Sequence, residues 1–415
     1  MIKYLFTVII FVSTILNASE INNFILKDSV EKSLMSISFE LDNISLDEKS
    51  GYTIINSQSK GTTSMIGMPK LPLFSTLLML DPKKEYDISY VVQDSYIIDD
   101  VKIIPNQEIE KGLEKTNIEK KDLSFYLSSE NYPSENIILS EPMIMRDLVL
   151  SNISVIPFKY YPGTNQLEVY QSIDINVHEV GDIADIRRRE MPRSRAFENI
   201  YKNSIINYNR ETRDDYQQSS VLYIGPSSVI DNPQFEQLIN WRRERGYVVY
   251  TATTSQTGSS ASSIKNYIED AYDDFDPVPE YVTLIGDVGG SYSLPTYYED
   301  FGHDSYGNQC EGDHPYSQLD GNDLLPEVLI GRMSIRSSSE LTTVIYKILN
   351  YEKATYLDNY PDYYERAAMA GDPSTSGNSC AITKEAIKQS LENHDFDEVA
   401  IKTSGSGWAT WMENE

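Results

Sequence analysis

The chain has 415 residues, with 63 aspartates and glutamates against 35 lysines and arginines, and its formal net charge at pH 7 is −28. This acidic balance excludes the basic face that nucleic-acid binding requires, so no nucleic-acid partner is expected. The length suggests more than one domain, each large enough to bury a core. Aromatic residues make up 11% of the chain, which excludes overall disorder. The cysteines, Cys310 and Cys380, permit at most one disulfide bond.

Residues 1–19 are typical of a secretory signal peptide. Lys3 supplies a positive charge, residues 4–16 are apolar, and Ala18 and Ser19 are small residues suited to cleavage. An N-terminal membrane anchor is the alternative, but the apolar stretch is short for a transmembrane helix. We therefore expect an exported protein with no membrane span after removal of the signal.

Residues 20–180 show the alternation of β-strands and little helical periodicity. Turn residues separate short β-rich runs, and the clearest turn, Tyr-Pro-Gly-Thr-Asn at 161–165, lies between two alternating strands. Many short strands at this spacing predict a β-sandwich-like domain. The predicted strands are residues 36–41, 52–55, 77–80, 88–92, 143–150, 153–158 and 167–177.

Residues 181–219 change character and are predicted to form an exposed, arginine-rich linker and processing region. Arginines cluster at 187–189 and recur at Arg193 and Arg195, and residues 211–220 are polar and charged. A run of arginines in a linker is usually solvated. In an exported precursor, such a stretch is also accessible to a protease.

From residue 220 to residue 415, strands and helices alternate. This alternation predicts a doubly wound, mainly parallel sheet with helices on both faces. The last predicted helix has no strand to return to, so we expect the sheet to be truncated at the C-terminus. The predicted strands are residues 221–224, 247–251, 281–285, 328–330, 367–370 and 398–401, and the predicted helices are residues 235–245, 259–275, 337–351, 381–391 and 408–415.

A group of residues in this region predicts a site for a hard cation. Asp287 follows one predicted strand, and Asp320, Asp323, Leu325 and Glu327 lie in the turn before the next strand. Calcium takes roughly six to eight oxygen ligands from carboxylates and backbone carbonyls, and a tight turn can gather these oxygens around one point. A turn with solvated acids and no metal is the alternative.

The cysteines and histidines offer further candidate sites, which their spacing does not favour. Cys310 and His314 lie in one glycine-rich loop, whereas catalytic dyads are usually assembled from the ends of different strands. A transition-metal site of His303, Cys310, Asp313 and His314 would fit no standard zinc spacing. Cys380 precedes a helix, and either packing or a disulfide bond with Cys310 would explain it.

Three segments resemble the gingipain family of cysteine peptidases in sequence and spacing: LIGD at 284–287, SQLDGNDLLPEVLIGR at 317–332 and NYEK at 350–353. The upstream half resembles the N-terminal propeptide of that family. The resemblance implies a caspase-like fold and a bacterial protein that is secreted or held at the cell surface. It also implies a structural calcium ion, to which Asp320 and Leu325 contribute backbone carbonyls, and removal of the propeptide after Arg210 or Arg213.

In that family, the catalytic histidine lies in a His-Gly motif at the end of the next strand, and the nucleophilic cysteine ends the strand after it. The chain contains no His-Gly pair, so both residues are expected beyond Glu415 and no catalytic residue is assigned. The expected protein is an exported, calcium-binding precursor of a cysteine endopeptidase, truncated before its active site. Its expected partners are protein or peptide substrates and its own propeptide. The alternatives are a sortase-like transpeptidase of a bacterial secretion system and a non-catalytic calcium-binding secreted protein.

Overall fold

The structure, a computed structural model, describes residues 20–21, 23–27, 34–107, 109–110, 113–114, 120–208, 215–300, 309–359, 361–371 and 378–414. The predicted signal peptide, the predicted cleavage sites Arg210 and Arg213, and His303 lie outside the described residues, as does the side chain of Cys310.

The chain divides into two compact units, Met1–Asn232 with Arg242–Arg336, and Pro233–Trp241 with Ser337–Glu415. Within the first unit, we call residues 20–208 the sandwich segment. Residues 215–232 and 242–336 are the parallel-sheet segment. None of the helices in the described ranges is both long and apolar enough to cross a membrane.

Two antiparallel sheets pack face to face in the sandwich segment. Along the strand Pro72–Leu80, every second side chain is buried, because successive side chains of a strand point to opposite faces. Phe74 of this strand contacts Phe39 of the other sheet edge to face, with ring centroids 5.2 Å apart. Isoleucine, valine and leucine side chains from both sheets complete the core. The predicted β-sandwich-like fold is confirmed.

The bounds of the strands in the sandwich segment are as follows. The six-stranded sheet contains Glu20–Ile21, Phe24–Lys27, Leu34–Glu40, Lys84–Ile98, Phe158–Tyr161 and Gln166–Asp182. The five-stranded sheet contains Gly61–Thr62, Pro72–Leu80, Ile137–Leu139, Met143–Met145 and Leu148–Val155. Two hairpins, Ser45–Lys49 with Tyr52–Asn56 and Ile109–Glu110 with Leu113–Glu114, and a short helix, Leu123–Tyr126, lie outside these sheets.

Turns in the sandwich segment include one that the sequence did not reveal. The turn predicted at 161–165 is confirmed, and it joins two antiparallel strands. The strand predicted at 143–150 is broken, however, because Arg146 has a positive φ of 55° and reverses the chain. The strands Met143–Met145 and Leu148–Val155 then pair antiparallel on either side of that turn. The reversal places Arg146 at the tip of a tight hairpin.

Part of the predicted linker at 181–219 is folded into the sandwich segment, so the prediction of an exposed stretch was wrong there. Residues Arg195–Ser204 form a helix that begins at Ser194, whose side chain accepts a hydrogen bond from the amide of Phe197. Phe197 and Tyr201 are buried in an apolar cluster that includes Met145, Leu148 and Leu150. The two aromatic residues lie one helical turn apart, which gives the helix a buried face.

The parallel-sheet segment is built around a four-stranded parallel sheet, as predicted. The strand order is Val248–Thr253, Ser220–Gly225, Tyr281–Ile285 and Leu329–Met333. Every residue of Ser220–Gly225 is buried, which is typical of a parallel strand covered on both faces. The helices of this region are Ser227–Ile230, Thr254–Thr257 and Ala261–Asp274, followed by the hairpin Tyr297–Asp300 with Gln309–Gly312 and the 3₁₀ helix His314–Tyr316. Most of the helix Pro233–Glu244 belongs to the second unit.

The second unit continues the alternation of strands and helices. Its strands Arg366–Ala370 and Glu398–Lys402 pair with each other in a two-stranded parallel sheet. Its helix Ser338–Glu352 begins after Ser337, whose side chain accepts a hydrogen bond from the amide of Glu340. The helices are Ser338–Glu352, Ser379–Glu392 and Trp408–Asn414, with 3₁₀ helices at Thr355–Asp358 and Tyr363–Glu365.

Candidate functional site at the acidic turn

The acidic turn, which we define as residues 320–327, leads into the strand Leu329–Met333 and therefore lies at the amino edge of the parallel sheet. Gly321 has a φ of +76°, and a Cβ atom there would lie 2.3 Å from Oδ2 of Asp323. A side chain at this position is therefore excluded both by the backbone conformation and by the close approach of the carboxylate. The glycine allows the turn to fold back on itself.

Glu327 is the buried centre of the acidic turn. Its side chain is 0% exposed. Its Oε2 atom accepts hydrogen bonds from the amides of Leu319, at 2.6 Å, and Asp320, at 3.1 Å. Its Oε1 atom has no hydrogen-bond partner within the described residues. Burial raises the pKa of Glu327 to about 8, against the lowering effect of the two amides.

The two aspartates of the turn are held by short-range and long-range contacts. Asp323 accepts a hydrogen bond from the amide of Leu325 at 2.7 Å through Oδ1 and another from the amide of Ile144 at 2.8 Å through Oδ2. Asp320 accepts one from the amide of Gly321 at 2.9 Å. The guanidinium of Arg188 lies 3.2 Å from Oδ1 of Asp320. Both aspartates thus contact the sandwich segment.

Arg146 joins the two segments from the other side of the turn. Its side chain is 1% exposed. Its Nη1 atom donates to the backbone carbonyls of Pro279 and Glu327, both at 3.1 Å. Its guanidinium lies 5.5 Å from the ring centroid of Phe197 and 5.8 Å from that of Tyr272. A buried arginine between two rings and two carbonyls is held by cation–π and charge-assisted contacts.

Arg188 and Arg189 form a second point of contact next to the turn. Arg188 pairs with Asp273 at 3.1 Å and with Glu269 at 3.4 Å, and it donates to the carbonyl of Leu319 at 3.3 Å. Arg189 donates to the carbonyl of Tyr272. Arg188 and Arg189 were predicted to lie in a solvated linker, but they make contacts with the parallel-sheet segment.

Apolar side chains fill the space between these polar contacts. Leu325 and Leu329 pack against the buried cluster of the sandwich segment that contains Met145, Phe197 and Tyr201. On the other side, Met191 packs against the core of the parallel sheet. The two segments therefore share one continuous interface, with the acidic turn within it.

Asp287, the fifth residue of the predicted cation site, is not brought to the acidic turn. It follows the strand Tyr281–Ile285, whereas the turn precedes the parallel neighbour of that strand. The two positions are separated by a five-residue strand, a span of roughly 15 Å. The carboxylate accepts hydrogen bonds from the side chains of Arg336 and Ser334, and the Arg336 guanidinium beside it lowers the pKa of Asp287 to about 2.

The remaining members of the predicted cation site, Asp320, Asp323, Leu325 and Glu327, do lie in one turn. Across the described ranges, no group of three or more histidine, cysteine, aspartate and glutamate side chains is arranged to hold a metal ion. That absence concerns side chains and does not cover a site whose ligands include backbone carbonyls. The Oε1 atom of Glu327, which has no partner within the described residues, is a suitable cation ligand. The calcium site therefore stays a prediction.

Asp313 and His314 have structural partners. Asp313 receives a bidentate pair from Arg332 at 2.7 and 2.8 Å. Arg332 also donates to the carbonyls of Gly286, Leu294 and Pro295, so it fixes the loop after the third strand. The His314 ring contacts the carbonyl of Leu324 at 2.9 Å and braces the acidic turn.

The other described histidines and the cysteines belong to other elements of the chain. His178 contacts Ser89 Oγ at 2.7 Å in the sandwich segment. His394 contacts the carbonyl of Ser390 at 2.7 Å in the second unit. Cys380 is the second residue of the helix Ser379–Glu392, and Cys310 belongs to the strand Gln309–Gly312.

Comparison with known families decides which proteins the chain is related to. Residues 21–215 match the family model described as Propeptide_C25, and residues 214–409 match the model described as Peptidase family C25. The chain belongs to peptidase family C25. The two matches meet at residues 214–215 of the C25 chain, directly after Arg213.

The curated relatives of this C25 chain include gingipains of Porphyromonas gingivalis. The chain is 24% identical to Gingipain R1 over 341 residues, which cover 79% of this chain and 33% of that protein. It is 25% identical to Gingipain R2 of strain W83 over 343 residues, which cover 78% of this chain and 44% of that protein. The C25 chain thus spans less than half the length of these relatives.

Among solved structures, the C25 chain is similar to the complex of the Porphyromonas gingivalis RgpB pro- and mature domains. The identity is 23% and the TM-score 0.40, over 46% of this chain and 99% of that chain. At this score the two structures are not comparable in detail.

The sequence revealed the acids of this C25 interface but not their partners. Ile144 and Asp323 are 179 residues apart in the chain, so no local pattern connects them. Arg146 did leave a signal, because it is a single cation in the apolar run Met-Ile-Met-Arg-Asp-Leu-Val-Leu at 143–150. A charge in such a run indicates a buried, paired side chain.

Proposed function

We propose that the chain is the precursor of an exported cysteine endopeptidase whose propeptide is the sandwich segment. The observation that carries this proposal is the end-to-end order of a C25 propeptide match and a C25 peptidase match, which meet next to Arg213. The interface described above supports it, because a propeptide must recognise its own peptidase. The substrates are proteins or peptides.

The chemistry of such an enzyme is attack by a cysteine thiolate on a peptide carbonyl, with a histidine carrying the proton. We assign neither role to a described residue. The described histidines have structural contacts. His178, His314 and His394 hold a serine or a backbone carbonyl in the folded chain.

The acidic turn is proposed to bind a structural calcium ion through Asp320, Asp323, Leu325 and Glu327. Carboxylate and carbonyl oxygens are the ligands that calcium prefers. The buried Glu327 oxygen without a partner in the described residues supports the proposal. A bound calcium ion would give this carboxylate a positively charged partner. It would also hold the turn against the first residues of the strand Leu329–Met333.

Peptidase assays of two proteins test the proposed function. The first is a recombinant chain of residues 20–415, and the second is the protein purified from the native host. We expect the native protein to cleave peptide substrates and to lose activity when a thiol reagent alkylates it. Native protein that cleaves no peptide, or that resists alkylation, would overturn the proposed function. Cleavage by the recombinant chain that disappears in a Cys310→Ala variant would assign the nucleophile to Cys310.

A further inference from the structure

The acidic turn has contacts in the precursor that a bound cation would disturb. The Arg188 guanidinium lies 3.2 Å from the Asp320 carboxylate, whose side chain is 13% exposed. The Ile144 amide donates to the Asp323 carboxylate at 2.8 Å. Both groups belong to the sandwich segment. The propeptide side therefore reaches both aspartates that the calcium proposal needs.

Electrostatic repulsion opposes the binding of a cation and of Arg188 at the same aspartate. A calcium ion lies roughly 2.3–2.6 Å from each ligand oxygen. A cation on Asp320 would then stand within a few ångströms of the guanidinium, and the two like charges would repel each other, although solvent screens part of the repulsion because the Arg188 side chain is 40% exposed. In the precursor, Arg188 thus supplies the positive charge next to Asp320 that the cation would otherwise supply.

Steric contact also restricts Asp323. A Cβ atom built on Gly321 would lie 3.3 Å from Cβ of Ile144, so the backbone of the turn and the hairpin of the sandwich segment are in van der Waals contact. A cation with six or more ligands needs space beside Oδ2 of Asp323. The hairpin fills that space as long as the sandwich segment is docked.

Glu327 provides an independent sign that the turn has a second state. It is fully buried beside Asp320, and its Oε1 atom has no partner in the described part of the chain. A buried carboxylate oxygen without a donor is costly. The docked propeptide provides partners for the two aspartates of the turn but none for this oxygen. A divalent cation would provide that partner.

We propose that the sandwich segment and a hard divalent cation compete for the acidic turn. In the precursor, Arg188 and the hairpin at Ile144 hold the turn, and after release of the propeptide the cation replaces them. The proposal rests on the calcium site proposed above and adds its regulation. Because linkage is reciprocal, calcium must weaken docking of the sandwich segment by the same factor by which docking weakens calcium binding.

Calcium titration by calorimetry of the intact chain tests the competition. The variants are Arg188→Ala and, as a matched control, Arg187→Ala, since Arg187 pairs with Asp185 within its own segment at 2.9 Å. We expect Arg188→Ala to bind calcium about tenfold more tightly than the unmodified chain, because the competing charge is gone. The Arg187→Ala variant is expected to bind like the unmodified chain.

The outcomes separate the two proposals. Equal calcium affinity in all three proteins would leave the calcium site in place and overturn the competition. No calcium binding in any of them would overturn both. Tighter binding by Arg187→Ala as well would show a general charge effect and would also overturn the competition.

A second measurement needs no substitution at the interface. The intact chain is cut at a protease site inserted between residues 208 and 215, and the two pieces are followed by size-exclusion chromatography with calcium or with chelator. We expect millimolar calcium to reduce the fraction of sandwich segment that co-elutes with the parallel-sheet segment. Unchanged or stronger co-elution in calcium would contradict the proposal.

Discussion

Glu327 is an acid and Arg146 a base, and both are buried at the interface between the sandwich and parallel-sheet segments. Their burial has different consequences. The guanidinium of Arg146 is matched by two carbonyls and two rings, although its Nε and Nη2 atoms have no partner among the described residues. The carboxylate of Glu327 is matched by two amides on one oxygen only. The first residue should therefore stabilise the precursor, and the second should strain it at neutral pH.

We predict that Glu327→Gln stabilises the cation-free precursor above pH 5. In the folded chain, the pKa of Glu327 is raised from 4.5 to about 8. The folded state thus keeps a proton that the unfolded state has lost, so the stability contributed by this group falls as pH rises from about 4.5 to about 8. The variant removes that loss, and the gain is of the order of a few kcal/mol at pH 8.

Urea denaturation in EDTA at pH 5 and pH 8 measures this effect. The difference in unfolding free energy between the variant and the unmodified chain should grow between the two pH values. A difference that is the same at both would show that burial does not hold the proton on Glu327.

Arg146→Ala is predicted to destabilise the intact chain by about 3 kcal/mol, because it leaves two buried carbonyls without a donor and opens a cavity between two rings. Urea denaturation measures the loss. Lys27→Ala is the control, since Lys27 forms a surface pair with Asp174, and its loss should cost less than about 0.5 kcal/mol. An equal loss of unfolding free energy in both variants would contradict a special role of Arg146 at the interface.

At the scale of elements, the sequence predicted those strands and helices whose bounds are determined by a local pattern of residues. The strand Tyr281–Ile285 has the predicted bounds, because its short β-branched run is bounded by prolines on one side and by a glycine on the other. The strand Lys84–Ile98 is 15 residues long, yet only residues 88–92 were predicted, because many of its side chains are exposed and polar. The helix Arg195–Ser204 was missed although Phe197, Ile200 and Tyr201 have helical spacing, because the cluster of arginines before it indicated a linker.

The sequence predicted the acidic turn and its candidate oxygen ligands, but it did not predict the contacts of the turn with the sandwich segment. The spacing of Asp320, Asp323 and Glu327 indicated oxygen ligands around one point, and the turn does bring them into one segment. The wrong inclusion of Asp287 came from reading two adjacent strand ends as one edge. The loop between those strands crosses from the carboxyl edge back to the amino edge, as parallel strands require.

The conformation of the acidic turn can be tested through its glycine. Gly321→Ala is predicted to lower stability by at least about 1–2 kcal/mol, the cost of the left-handed conformation, with a further cost from the contact with Asp323. Gly331→Ala is the matched control, because a Cβ there meets nothing within 4 Å. Thermal melting of both variants measures the difference, and equal melting temperatures would contradict the described turn.

Calcium removal provides another test of the turn. We predict that a strong chelator lowers the melting temperature of the processed protein, because ligand binding to the folded state alone stabilises it. The Glu327→Gln variant should show a smaller effect, since it lacks one charged ligand. An unchanged melting temperature of the unmodified protein in chelator would count against the calcium site.

At the scale of the whole molecule, the sandwich segment and the parallel-sheet segment are joined by arginines on one side and acids on the other. Arg146, Arg188 and Arg189 contact the parallel-sheet segment, which supplies Asp320, Asp273 and Glu269. In a chain with a net charge of −28, these arginines locally offset the repulsion between acidic surfaces. The arrangement is suited to a propeptide that must dock first and leave later.

The N-terminus of the secreted, active product tests the central claim of a processed C25 peptidase precursor most directly. N-terminal sequencing and a peptidase assay are performed on the same material from the native host. The account predicts a product that begins at Glu211 or Asp214, after Arg210 or Arg213, and that loses activity on thiol alkylation. An active product that begins well outside 205–220, or that resists thiol alkylation, would contradict it.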